Sequence, residues 1–242
     1  MKKPIVVSSS GLYEEISRTD SLLVPFKFFD TFIGNLNNIF GTATTGAGGP
    51  SVTSNADCVQ GQFGALRLRC GTNAAGGALV HTGANMMRTS NLFGLRFICG
   101  AALPVLSNGT NRFNFRAGLK NAATAFGDGT GFYIRYTDNI NSGFVQGVVR
   151  NGATETTVNF GIGPTANEAF IAGFEINETY TSIEFFYLVA STRQKISVGS
   201  IALSGGFVPA LNTLMGAHVS IQKNVGASLI DSLVDFIGVE IL

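Results

Sequence analysis

Tryptophan is absent from the 242 residues, and cysteine, histidine and charge are all scarce. Charged residues make up 13% of the chain, about half the usual share near 25%. An isolated domain normally carries more charge for solubility, so part of this surface is expected to be covered by other protein. The three cysteines, Cys58, Cys70 and Cys99, are odd in number and widely spaced, and no C-x-x-C occurs. That excludes a disulfide framework. Free buried thiols are the expectation, because unpaired cysteine is among the most buried residue types; a Cys58–Cys70 bond closing a loop is the alternative. His81 and His218 are isolated, with no Cys, Asp or Glu at metal-ligand spacing. They read as ordinary exposed or hydrogen-bonded histidines, and neither a metal nor a cofactor is expected. The net charge is +1 and the positive clusters are short, such as Arg67 and Arg69. Nucleic-acid binding would need a basic patch or stripe, so it is not expected. No apolar run approaches a membrane span, and the start MKKPIVVSSSG is too short for a signal-peptide core. Assembly in a cytoplasm, with no membrane insertion, follows as the expectation.

What is abundant points elsewhere. Glycine at 31 and phenylalanine at 20 suit short strands, tight turns and a packed β core. From Val59 onward, apolar residues alternate at period two. Leu66, Leu68 and Cys70 point one way, Arg67 and Arg69 the other. Phe93, Leu95, Phe97 and Cys99 share a face. Phe113, Phe115, Ala117 and Leu119 are opposed by Arg112, Asn114 and Arg116. Phe132, Ile134 and Tyr136 continue the pattern, as do Phe170 to Ile176, Ile183 to Val189 and Met215 to Ile221. The last run places Val234 and Phe236 on one face, and Asp235, Ile237, Val239 and Ile241 on the other. Asn108-Gly109, Asp128-Gly129 and Asn151-Gly152 are favoured where a hairpin needs positive φ. About a dozen strands at this spacing indicate a two-sheet sandwich or barrel. Phe115, Phe132, Phe174, Phe185 and Val219 are expected between the sheets.

Residues 1–25 differ. Ile5–Val7 is a strand-forming run with no adjacent partner, followed by Ser8-Ser9-Ser10-Gly11 and then Leu12-Tyr13-Glu14-Glu15-Ile16. Such a segment is too small to fold alone, and unpaired strands invite pairing with another chain. The domain reading is an arm over 1–25, with Ile5, Val6, Val7, Leu12 and Tyr13 as its anchoring residues, and a β domain over 26–242. Phe26 to Phe40 reads as a strand, a turn and one helical turn.

From about Phe29 onward the order of segments resembles the concanavalin-like (laminin G-like) jelly rolls of bacteriophage structural proteins. The carrying pieces are DTFIGNLNNIFGTATTGAGG, FGALRLRCG, NLFGLRFICG, GTGFYIRYTDNINSGFVQGVVRNGATETT, FEINETYTSIEFFYLV and SLIDSLVDFIGVEIL. The arm is similar to the N-terminal segments of phage fibre and decoration proteins. The resemblance implies an all-β, antiparallel jelly-roll sandwich. It also implies a virion protein of the capsid-decoration or short-fibre type, partnered by other virion proteins and by itself as a homotrimer, with host-surface glycans as a further contact. A carbohydrate- or receptor-binding tail module is the alternative.

A fold of this kind does not decide function. A retaining glycosidase needs two carboxylates about 5 Å apart. The closest pairs in sequence are Asp231 with Asp235, which share strand parity, and Glu175 with Glu178. Their surroundings are core-like or turn-like, so no catalytic residue is assigned. Asp128-Gly129-Thr130-Gly131 is far shorter than a calcium loop and reads as a turn. Asn108 and Asn177 each begin an N-x-T acceptor pattern, taken as chance. With tryptophan missing, Tyr133 and Arg135 stand out on the face opposite Phe132, Ile134 and Tyr136. They are the candidate glycan contact, against the alternative of a solvated outer sheet face.

Overall fold

The computed structural model describes residues 40–53, 66–83, 86–189, 192 and 194–241, with the backbone of segments 5–7, 13–15 and 27–30. The strands in chain order are β1 (Ile5–Val7), β2 (Tyr13–Glu15), β3 (Lys27–Asp30), β4 (Gly41–Thr45), β5 (Ser51–Thr53), β6 (Leu66–Arg69), β7 (Gly77–His81), β8 (Met87–Arg88) and β9 (Leu95–Ala102). They continue with β10 (Phe113–Lys120), β11 (Gly131–Tyr136), β12 (Gln146–Asn151), β13 (Thr154–Asn159), β14 (Ala169–Ile176), β15 (Ser182–Leu188), β16 (Lys195–Ala202), β17 (Leu214–Lys223) and β18 (Asp231–Ile241).

Two antiparallel sheets form a jelly-roll sandwich. One runs β13-β12-β11-β10-β17-β7-β4, with β8 on β17; the other runs β16-β15-β14-β9-β18-β6-β5, with β3 on β18. The core follows from the alternation. Phe113, Phe115, Ala117 and Leu119 of β10 and Met215, Ala217, Val219 and Ile221 of β17 all point inward and are buried. The five expected core residues, Phe115, Phe132, Phe174, Phe185 and Val219, lie between the sheets. Phe132 on one sheet meets Phe174 on the other at 6.4 Å between ring centres, and Phe160 meets Phe185 at the same separation. Such aromatic pairs add to the roughly 1.5–3 kcal/mol that burying each large apolar side chain contributes.

Some readings of the sequence need correction. Ile5–Val7 does have a partner nearby: it pairs antiparallel with Tyr13–Glu15, Val7 opposite Tyr13. Phe93 precedes its strand and is 45% exposed, so it does not share the buried face of Leu95, Phe97 and Cys99. In β18 the alternation changes phase. The register against β9 slips between Val234 and Phe236, leaving Asp235 as the extra residue of a bulge. Val234, Ile237 and Val239 therefore all enter the core. Phe236 turns outward over Gly100, where an added Cβ would stand 2.4 Å from its ring.

The turns divide in the same way. Asn151 ends β12, Thr154 opens β13, and the two-residue loop begins with Gly152 at φ +58°. Gly109 and Gly129 do not adopt positive φ; Gly127, just before Asp128, does. Asn108 instead closes its turn through its side chain, whose Oδ1 accepts from the Thr110 and Asn111 amides. Cys70 and Cys99 are free and buried. Cys58, Leu12 and most of the 26–40 segment lie outside the described residues.

Candidate functional site

β10 and β11 are buried along their whole length on both faces, although their sequences alternate polar with apolar. The inward face is the core. The outward face is covered by its own polar side chains and by the loop 121–130, which returns over the sheet. Lys120 Nζ donates to the carbonyls of Ala125 and Gly127 at 3.0 and 2.7 Å. His218 Nδ1 lies 2.6 Å from the Ala123 carbonyl oxygen. An added Cβ on Gly77 would come within 2.8 Å of the Phe126 ring, which places that ring over β7.

Strand register sets the polar side chains in rows across this face. Arg116 stands opposite Arg135 on one side and Ser220 on the other, and Arg135 stands opposite Gln146. Asp128, carried in by the covering loop, is the acceptor at their centre. It takes Arg116 Nε at 2.8 Å, Arg135 Nη1 at 3.2 Å and the Tyr133 hydroxyl at 3.2 Å. Glu155, on edge strand β13, takes Arg135 Nη2 at 2.9 Å and also Arg150. Gln146 Oε1 accepts from Arg135 Nη2 at 3.1 Å. The Arg116 and Arg135 side chains are 5% exposed, whereas Asp128 and Glu155 are 26% and 27% exposed. The arginines form a floor and the carboxylates a more open rim.

Electrostatics follow from these contacts. Burial alone would raise the Asp128 carboxyl, but the charge and hydrogen bond of Arg116, with the charges of Arg135 and Arg150, hold it at about 2. Glu155 is likewise held low against its burial by Arg135 and Arg150. Burial and the neighbouring Asp128 charge push the Tyr133 phenol well up, so it stays a neutral donor. Burial lowers the Lys120 amine to about 8, helped by the Arg116 charge.

His218 and Ser220 lie beside this group, with His218 Nε2 2.8 Å from Ser220 Oγ. Burial, then the Lys120 charge, pushes His218 well below the ordinary histidine range. The neutral ring donates from Nδ1 to the Ala123 carbonyl, which leaves Nε2 to accept the serine proton. Both residues are wholly buried, so the pair latches the loop to the sheet. His81, distant from His218 in sequence, is its register partner on β7 and accepts the Gly83 amide at 2.8 Å through Nδ1.

The candidate residues therefore fare differently. Tyr133 and Arg135 do share one face, but both are buried rather than spread on a solvated surface. Asp128, read in sequence as a turn residue, is the acceptor that gathers them. Its only sequence signal was its place in a Gly-rich turn between two strands, which says nothing of where the turn folds. The strand parity of Asp231 and Asp235 is broken by the bulge, and Asp231 receives two bonds of 2.8 Å from Arg69. Glu175 accepts from Arg96 and Lys195. Of the arm residues, Ile5, Val6, Val7 and Tyr13 have only their backbone pairing described. Among the described residues no group of three His, Cys, Asp or Glu could hold a metal, and no helix is long and apolar enough to cross a membrane.

No protein-family model matches the chain, and no curated protein matches it by sequence. Solved structures do match in fold. The CBM2 module of the evolved Dit of Lactobacillus casei BL23 phage J-1 is similar at TM-score 0.60 and 11% identity, covering 90% of this chain and 97% of that one. Peanut lectin is similar at 0.59 and 8% identity, covering 90% and 98%. A glycoside hydrolase family 16 endo-glucanase from Bacteroides ovatus follows at 0.56 and 9% identity, covering 88% and 99%. The fold is thus a concanavalin-like jelly roll, shared by lectin, hydrolase and phage-derived modules.

Proposed function

We propose that this chain is a non-catalytic structural protein of a bacteriophage virion, a capsid-surface decoration or short fibre protein. In this reading residues 1–25 anchor it to other virion proteins or to sister chains in a trimer, and the jelly roll projects. The observation that carries the non-catalytic part is the state of the carboxylates. A retaining glycosidase needs one carboxyl held up as a proton donor. Asp128, Asp138, Glu155 and Glu184 are shifted down instead, and these four, like Asp231 and Glu175 of the pairs weighed from the sequence, accept from an arginine or lysine. The likeness to a phage-derived module supports the virion setting.

A second reading is favoured by the likeness to peanut lectin and to the phage-derived module: a carbohydrate- or receptor-binding module of a tail, with its contact made elsewhere than at the buried Tyr133 and Arg135. The two readings are compatible in one projecting domain.

Density-gradient purification of particles from the producing cells tests the first reading. The protein is expected to band with intact particles and to appear as surface density by electron microscopy. Recovery only in the particle-free fraction would refute the virion role. Turnover of a polysaccharide by the purified chain would refute the non-catalytic one.

A further inference from the structure

The chain has two Asn-Gly pairs, Asn108-Gly109 and Asn151-Gly152, and the fold holds them in opposite ways. An asparagine followed by glycine can react with its own backbone. The next amide nitrogen attacks Cγ, and glycine, having no Cβ, lets the chain turn far enough to do so. Negative charge builds on Oδ1 in that step, so donors aimed at this oxygen lower the barrier.

At Asn151 the reacting groups are tied down. The Gly152 amide, which would be the nucleophile, donates to Thr130 Oγ1 at 2.9 Å, and Asn151 Nδ2 donates to the Gly206 carbonyl at 3.1 Å. Among the described residues none donates to Asn151 Oδ1. At Asn108 the arrangement is reversed. Asn108 and Gly109 are exposed, and the Gly109 amide has no partner among the described residues. A Cβ on Gly109 would meet nothing within 4 Å. Asn108 Oδ1 accepts the Thr110 and Asn111 amides at 3.0 and 2.9 Å. Both donors are held from outside the turn. A Cβ on Gly226 would stand 2.5 Å from the Thr110 carbonyl oxygen and 3.0 Å from Asn111 Cα, and the Asn224 and Val225 amides bond the Arg112 carbonyl. Hydrogen bonds to an oxyanion are about twice as strong as those to a neutral oxygen. Fixed donors therefore favour the transition state over the resting amide.

We propose that Asn108-Gly109 is a self-modifying site, in which the Thr110 and Asn111 amides form an oxyanion hole for deamidation of Asn108. Solvent hydroxide takes the Gly109 amide proton. The nitrogen bonds to Asn108 Cγ, and the carbonyl electron pair moves onto Oδ1. Its return breaks the Cγ–Nδ2 bond, and ammonia leaves with a proton from water. Water then opens the succinimide at either carbonyl, giving aspartate or isoaspartate. The sum is asparagine and water going to a carboxylate and ammonium, and the chain loses its formal net charge of +1. Asn177 is a natural comparison. Its Oδ1 accepts the Thr181 and Ser182 amides at 2.7 and 3.1 Å, but Glu178 follows it and its side chain hinders closure.

The full-length chain is incubated in mildly alkaline buffer made with oxygen-18 water, folded and in denaturant, and peptides are followed by mass spectrometry. In the folded chain Asn108 is expected to convert roughly tenfold or more faster than Asn151. In denaturant the two should convert at similar rates, because the dipeptide is the same. Thr110→Pro removes one donor and should slow Asn108 in the folded chain. Glu178→Gly places a glycine after Asn177 and should make that residue a second fast site, a gain that does not depend on the Thr110 variant folding. Conversion of Asn108 no faster than Asn151 in the folded chain would overturn the proposal. So would an Asn108 preference that persists in denaturant, or a folded Thr110→Pro chain that converts as the wild type does.

Discussion

Arg116 on β10 and Asp128 on the following loop are joined by a 2.8 Å hydrogen bond from Nε to Oδ1. That bond ties the loop to the outer face of the strand it has just left. With the latches from Lys120 and His218 it turns a polar sheet surface into a second buried layer.

Asp128 should give this layer a measurable acid limb. Its carboxyl falls from an ordinary value of 3.8 to about 2 in the folded protein. The stabilisation is therefore complete above pH 3.8 and is lost as pH falls toward 2. It is worth about 2 kcal/mol. Urea unfolding of wild type and Asp128→Asn should differ by about this amount at pH 7 and converge near pH 2. A difference that is the same at both pH values would show that the carboxylate charge is not its source.

Gly147 and Phe185 make the tightest test of the core. A Cβ on Gly147 would stand 2.3 Å from Phe185 Cγ, and Phe185 is wholly buried. Gly147→Ala should destabilise by about 1–3 kcal/mol through overpacking, and Phe185→Ala by about 3–5 kcal/mol through a cavity. Combined, they should cost less than the sum, because the alanine methyl enters space the ring has left. Strict additivity in thermal or urea unfolding would mean the two do not touch.

The buried thiols should be inert. Burial pushes Cys70 up to about 12, against the opposing charge of Lys223. Burial, with Asp235 adding, raises Cys99 as well. The nucleophile is the thiolate. In a Cys58→Ser background, Ellman's reagent should find no reactive thiol at pH 8 until denaturant is added, and then two. Rapid reaction of the folded protein would place one of them at the surface.

Deletion of residues 1–25 should leave the sandwich folded, since β3 on β18 and both sheets lie downstream of the cut. It should abolish assembly and particle attachment. Circular dichroism reads the first outcome, light scattering and particle co-sedimentation the second. A truncated chain that binds particles with unchanged occupancy would remove the anchoring role from the arm.

Much of the inner architecture was legible in the sequence. Period two fixes which residues share a face of a strand, so Phe113 with Phe115 and Met215 with Ala217 could be assigned without coordinates. The two-residue turn after Asn151 was legible for the same local reason, since backbone preference at Gly152 acts within the turn itself. Two features were not. The bulge at Asp235 depends on how β18 registers against β9, a long-range match that one strand's alternation does not encode. The burial of Tyr133 and Arg135 depends on loop 121–130 folding back over β10. Alternation says that a face is polar, not whether anything covers it. Only the tertiary structure, by bringing Asp128 between two arginines that face it from neighbouring strands, decided that this polar face is a paired and buried layer.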